Sequence, residues 1–350
     1  MIEQFLEDLE NRLDDSVEED VASQWTAFWS DSPGRTGYFQ PKRRRTAPPR
    51  VEWPRIPVNH AIRSRELMLV REMAQNSRII ASGSGQALNI RCNYGTGILP
   101  SLFGSKPFFL EDEQDTLPGA LPLEGGSEAI RQLLDAGVPE LNRGWLPQVF
   151  ETAAYYREIL RDYPRLQRYV SIYHPDLQGP ADVAELLYGS EIFTAVYDEP
   201  ELVKDLLRLI TETYCRVLAR WEEENPTPPD RLRCHWNWAH RGVVCLRDDS
   251  AMNFSPEMYR EFILPFDRYI LEHCGGGVVH FCGRGDHYID QLVLCKGITG
   301  IQLSQPEFNQ MEKIYRHTVD IGLRLLALPV SEAERALRAG RDLHGLVHCA

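Results

Sequence analysis

No apolar run in the chain approaches the ~20 residues needed to cross a bilayer. The start, Met1-Ile2-Glu3-Gln4-Phe5, is acidic and has no signal-peptide core. Both absences predict a cytoplasmic protein without a membrane partner. Positive charge is scarce: 38 Lys and Arg face 51 Asp and Glu, for a formal charge of −13. A surface this acidic does not grip a phosphate backbone by bulk electrostatics, so nucleic acid is not an expected partner. The one basic run, Lys42-Arg43-Arg44-Arg45, lies in a Pro-rich stretch and reads as a solvated linker. Eight cysteines (92, 215, 234, 245, 274, 282, 295, 349) show no framework rhythm. In a reducing compartment most are simply buried, and one or a few remain to bind metal. There is no internal repeat. There is no Gly-rich dinucleotide or phosphate loop, no nucleophile elbow and no zincin helix, so nucleotide and standard hydrolase readings have no support.

What is present is a globular composition, 43 % hydrophobic over 350 residues, which excludes a disordered chain and a disulfide-stapled mini-protein. Residues 1 to about 30 read as one helix, with Phe5, Leu6, Leu9 and Leu13 forming an apolar stripe. Residues 31 to 57 read as an irregular Pro, Gly and Arg arm. The segment 1–57 either pairs two copies of the chain into a homodimer or covers the mouth of the following domain, 58–350.

From residue 60 short apolar runs alternate with helical stretches. Candidate strands cover 87–94, 106–111, 167–173, 242–247, 277–282, 298–303, 323–328 and 343–349. Eight strands with helices between them predict an α/β fold, a (β/α)8 TIM barrel with an N-terminal helical extension. Ser255-Pro256-Glu257 and Asp198-Glu199-Pro200-Glu201 are helix starts, and Asp182 is placed as a cap.

Chemistry is expected where barrel strands end. In His280-Phe281-Cys282-Gly283, residues i and i+2 of a strand point the same way, so an imidazole and a thiol share one cavity. That is half of a zinc site; the alternative is a satisfied core histidine beside an inert cysteine. Cys349, ending the last apolar run, is the candidate third ligand, with Cys92 and His348 as substitutes; otherwise Cys349 is a terminal residue without a role. A His, Cys, Cys set with an open position would bind a thiol as thiolate.

Gly283-Arg284-Gly285-Asp286-His287 follows directly. Arg284 and the exposed N–H groups there suit a carboxylate or phosphate, or form an ordinary loop with Asp286 capping the next helix. In Arg247-Asp248-Asp249-Ser250 adjacent carboxylates can raise one pKa and supply an acid, or can cap and pair structurally. Asp176 and Gln178, Asn93 and Tyr94, and Gln305 mark further strand ends. Asp249 and Arg284 are the candidate catalytic residues. Asn93, Tyr94, Asp176, Gln178, Asp248, His287 and Gln305 are the candidate substrate contacts. Trp236 and Trp238 either stack on a flat ligand or pack under a hairpin.

Gly189-Ser190-Glu191-Ile192-Phe193, Tyr197-Asp198-Glu199-Pro200-Glu201-Leu202-Val203, the segment 248–259 and the His280-Phe281-Cys282-Gly283 strand resemble the uroporphyrinogen decarboxylase superfamily. That superfamily includes the methylcobamide:coenzyme M methyltransferases. The resemblance covers roughly residues 60–350 and implies a (β/α)8 barrel. The Arg-rich, Gly-Arg-Tyr type motif of its decarboxylases is absent. The methyltransferase branch matches at His280 and Cys282, which there bind zinc with a later cysteine; Cys349 answers to that cysteine by order and strand position. The resemblance implies a zinc-dependent enzyme moving a methyl group between a corrinoid, presented by a partner protein, and a thiol acceptor. A decarboxylase-like enzyme acting on a polycarboxylated ring without metal is the alternative, and a non-catalytic corrinoid- or tetrapyrrole-binding barrel is a third.

Overall fold

Short apolar runs bounded by glycine become strands in the computed structural model, which describes residues 2–30 and 36–350. In chain order these are β1 Asn89–Ile90, β2 Pro107–Phe108, β3 Gly119–Ala120, β4 Ser171–Ile172, β5 Arg233–His235, β6 Trp238–His240, β7 Val244–Arg247, β8 Gly277–Phe281, β9 Ile298–Leu303, β10 Arg324–Leu328 and β11 Val347–Cys349. Strands β7 to β11 form a five-stranded sheet in the order β11-β10-β9-β8-β7, every pairing parallel. Helices return the chain between them: Pro256–Phe262 and Leu264–His273 before β8, Met311–His317 before β10, and Val330–Arg338 before β11. The result is a mixed α/β fold.

Backbone hydrogen bonding is not continuous through eight strands. β1 pairs in parallel with β4 as a separate two-stranded unit. The expected strand at 106–111 is instead half of an antiparallel hairpin, β2 with β3. Pro107 has no N–H for a central ladder, which suits a margin rather than a core strand. At one edge of the five-stranded sheet, Phe39 N–H donates to Val347 O at 2.7 Å. At the other, Gly179 N–H donates to Arg247 O at 2.8 Å.

The sheet is buried on both faces, as parallel sheets are. Val244, Leu246, Val279, Phe281, Ile301, Leu303, Leu325, Val347 and Cys349 belong to the large cluster shared with the surrounding helices. Cys245, Val278 and Leu326, on the opposite parity, pack with Trp25, Trp29, Phe39 and Trp238 in a second cluster. The hairpin β5–β6 fills this second layer, with Trp236 and Asn237 at its tip in the left-handed region (φ 41° and 68°). Gly277 opens β8 at φ 154°, where a Cβ would meet Val244 O at 1.9 Å, so only glycine lets β8 lie this close to β7.

The N-terminal stretch is two helices, Glu3–Arg12 and Asp15–Phe28, rather than one. Asp14 breaks it: its carboxylate accepts the Ser16 and Val17 N–H groups and starts a new helix. The first helix packs into the large core cluster and the second into the smaller one. The basic run is not a free linker, because Arg43 is buried and grips Glu18 with two hydrogen bonds of 2.9 Å. Arg44 and Arg45 pair with Asp20 and Asp14. Part of the expected arm, residues 31–35, lies outside the described residues. Among the described residues no helix is long and apolar enough to cross a membrane.

Candidate metal centre

Three neighbouring strands carry a polar residue at one level of the inner layer. Arg247 on β7 registers with His280 on β8, and His280 with Gln302 on β9. His280 Nδ1 bonds Gln302 Oε1. With that oxygen toward the ring Nδ1 carries a proton, and Nε2 faces the other way. There it meets Asp249 Oδ1 at 3.2 Å and Cys282 Sγ at 3.6 Å. The three donor atoms all lie within 4.8 Å of one another. Zinc bonds of about 2.0–2.3 Å at tetrahedral angles place neighbouring donors roughly 3.3–3.8 Å apart, which these two separations match or closely approach. A ring nitrogen, a carboxylate oxygen and a sulfur converging in this way could hold a metal ion. One imidazole, one thiol and one carboxylate form a donor set suited to zinc, with the Gln302 contact fixing the ring from behind.

Local structure explains the convergence. Gly283 follows Cys282 at φ 68°, turning the chain out of β8. Cys282 N–H donates to Asp249 Oδ1 at 2.9 Å, tying the β8 turn to the β7 turn. Asp249 is held in turn by Asp182, whose carboxylate accepts the N–H groups of Asp249 (3.1 Å) and Ser250 (2.7 Å). Asp182 therefore does not cap its own helix, Pro180–Tyr188; it lies inside the first turn and orients the neighbouring loop. Burial pushes the Asp249 carboxyl up, but the hydrogen bond and charge of His280 outweigh this and hold it below the usual range. Burial, and then the charge of Asp249, push the Cys282 thiol up to about 12. Metal coordination must therefore displace a proton from that sulfur.

Cys349 does not join this group. It ends β11 on the outer parity, near Tyr315 and Glu334, where burial raises its thiol to about 12. Cys92 is also buried elsewhere, beside Glu72 and Tyr156. His348 does face inward. A cavity of about 270 Å³ is lined by Trp236, His280, Gln302, Ser304 and His348 among others. Trp236 packs edge-on against His280, with ring centroids 4.8 Å apart, and carries the Arg247 guanidinium 4.6 Å over its face. It also lines a second cavity of about 480 Å³, which holds Asn93 and the guanidinium groups of Arg55, Arg71, Arg78 and Arg91.

The remaining candidates scatter. Asp176 is buried between Arg91 and Arg247 and is occupied by both. Burial lifts its pKa, but the two guanidinium groups hold it below the ordinary carboxylate value. Gln178 is buried nearby. Tyr94 turns to the helix side, its hydroxyl 2.8 Å from Thr152 Oγ1. Asp248 is buried against Asp267; burial and that neighbouring carboxyl push Asp248 well above the usual range, and burial takes Asp267 to about 7. Arg284 is half-exposed and paired with Asp286, and Asp286 accepts the Gln310 N–H rather than capping a helix. His287 bonds Phe254 O at 2.9 Å, and Gln305 Oε1 accepts the Gly283 N–H.

Sequence reasoning missed Gln302 and the hold of Asp182 on the Asp249 turn, and left Trp236 open between stacking on a ligand and packing under a hairpin. Gln302 had a signal: a polar side chain inside the apolar run Ile301-Gln302-Leu303 of a buried strand. Asp182 had none that separates it from a cap.

No family model matches the chain, and no curated protein matches it. Among solved structures, a methyltransferase from Methanosarcina mazei is similar in fold, with a TM-score of 0.60 and 20 % identity over 84 % of this chain and 82 % of that one.

Proposed function

We propose that the protein is a zinc-dependent methyltransferase that moves a methyl group from a corrinoid, carried by a partner protein, to a thiol. The observation that carries this reading is the convergence of His280 Nε2, Asp249 Oδ1 and Cys282 Sγ. The fold likeness to a methyltransferase supports it. In this reading β4–β1 and the five-stranded sheet are two arcs of one (β/α)8 barrel. The Phe39–His348 and Lys42–Ser84 bridges link them on one side, and the Gly179–Arg247 bond links them on the other.

His280, Cys282 and Asp249 would hold the metal. When bound, a zinc ion stabilises a coordinated thiol as thiolate at neutral pH, giving a nucleophile for a methyl group. Gln302 fixes the His280 ring, Asp182 fixes the Asp249 turn, and Trp236 walls the His280 side of the cavity against water. Asn93, on the far side of Trp236, faces the larger cavity, where an acceptor's distal end would lie.

The test is metal analysis of chelator-free protein, with transfer from methylcobalamin to a thiol panel. About one zinc per chain and a methylated thiol are expected. Protein without bound zinc overturns the reading. The arginines lining the larger cavity favour one second reading, a metal-independent enzyme acting on a polycarboxylated ring, though Arg55 and Arg71 pair with Asp115 and Arg91 with Asp176. Activity surviving Cys282→Ala would select it.

A further inference from the structure

Away from the metal centre, Cys215 and Cys274 face each other with their sulfurs 3.1 Å apart. Cys215 lies in the helix Pro200–Glu224. Cys274 ends the helix Leu264–His273 and directly precedes Gly275-Gly276-Gly277, which leads into β8. Both are free thiols and only partly buried, whereas Cys92, Cys234, Cys245, Cys295 and Cys349 are buried. Two unbonded sulfurs ordinarily rest more than about 3.5 Å apart, and a disulfide is about 2.05 Å, so little movement separates contact from bond.

We propose that Cys215 and Cys274 form a reversible oxidative modification site, closing to a disulfide when the chain meets a peroxide. At 3.1 Å either sulfur can lead and the product is the same; Cys274 leads in one of the two orders. Its thiolate attacks one peroxide oxygen, the O–O bond breaks, and the departing hydroxide takes a proton to become water. The resulting sulfenic sulfur is attacked by Cys215; the S–S bond forms, the S–O bond breaks, and hydroxide leaves with the Cys215 proton as a second water. Two thiols are oxidised and one peroxide is reduced. The bond would tie the helix Pro200–Glu224 to the glycine turn from which the strand bearing His280 starts.

The experiment treats the full chain, as purified with its metal, with a small excess of hydrogen peroxide. Expected are a mass loss of about 2 Da, a non-reducing peptide map joining the Cys215 and Cys274 peptides, and full reversal by dithiothreitol. The cross-linked form should melt several degrees higher, because the bond closes a long loop. Cys215→Ser should abolish the cross-link and leave a Cys274 sulfenic acid that dimedone traps. A map in which the two peptides stay unlinked, whether the thiols are intact or separately oxidised, overturns the proposal.

Discussion

Strands β8 and β11 both deliver a histidine and a cysteine to their ends, and the two pairs do different things. His280 and His348 sit on the same inner layer and line one cavity. The sulfurs part company. Cys282 is two positions beyond its histidine and returns to the same side, while Cys349 is one position beyond and faces the helices. The rings differ in tautomer as well. His348 Nδ1 accepts the Ala327 N–H at 3.1 Å, so its neutral ring keeps the proton on Nε2. His280 Nδ1 instead donates to Gln302 Oε1, which leaves Nε2 turned toward Asp249 and Cys282. Residue type alone therefore does not make a ligand; strand parity and the partner of the second ring nitrogen do.

The largest expected effect follows from that contrast. Cys282→Ala should take the zinc content from about one per chain to almost none by elemental analysis, and Cys349→Ala should leave it unchanged. Loss of metal in the Cys349 variant would mean that β11 reaches the site after all, and the parity argument would fail.

Next comes acid. Burial holds His174 and His348 down to about 3 and His240 to about 4. Once unfolded, these rings take up protons near their ordinary value of 6.5. Below that pH the unfolded chain binds more protons than the folded one. The rings' contribution is therefore complete above about pH 6.5 and falls as pH drops toward 4, while the buried carboxyls of Asp182, Asp248 and Asp267, raised above their unfolded value, act in the opposite sense. Each ring contributes a slope of about 1.4 kcal/mol per pH unit in that window. Urea unfolding of the metal-free protein and of its His348→Gln variant across pH 7 to 4.5 isolates one ring's slope; the same profile in both would show that this ring is not held neutral.

Parity also explains what could be read from residues alone. The HxC spacing sufficed for His280 and Cys282, because a two-residue period is a local property of any strand. The runs at 242–247, 277–282, 298–303, 323–328 and 343–349 all contain strands of the parallel sheet for the same reason. Asp249 was singled out as an acid, yet its place as a donor depends on Asp182, a residue 67 positions away that holds its turn. Such a contact between turns leaves no periodic trace. Cys349 looked suitable because strand position was visible, while the face it presents depends on where the strand register begins. The hairpin β5–β6 was foreseen only as a packing option for Trp236 and Trp238, and its tip proves to wall the cavity.

A smaller effect isolates the tautomer half of the comparison. Gln302→Ala removes the acceptor behind His280 without touching a donor atom. Zinc affinity, measured by competition with a chelator, should weaken by about 10–100-fold. An unchanged affinity would mean that the ring is fixed by Trp236 and the strand alone.

The smallest effect returns to Cys349. In the outer layer it is 1 % exposed and acts as a small apolar side chain between β11 and the helices. Cys349→Ala should cost on the order of 1 kcal/mol of unfolding free energy, the scale of one or two buried atoms, while zinc affinity stays within about twofold. Cys349→Ser should cost more, because a hydroxyl there has to replace its lost water bonds in an apolar setting. Denaturation midpoints of the two variants, measured with and without zinc, test the ranking. A sulfur that contributes only packing gives the same difference under both conditions. A sulfur that reaches the metal gives a difference that grows when zinc is present, because binding adds its own free energy to folding.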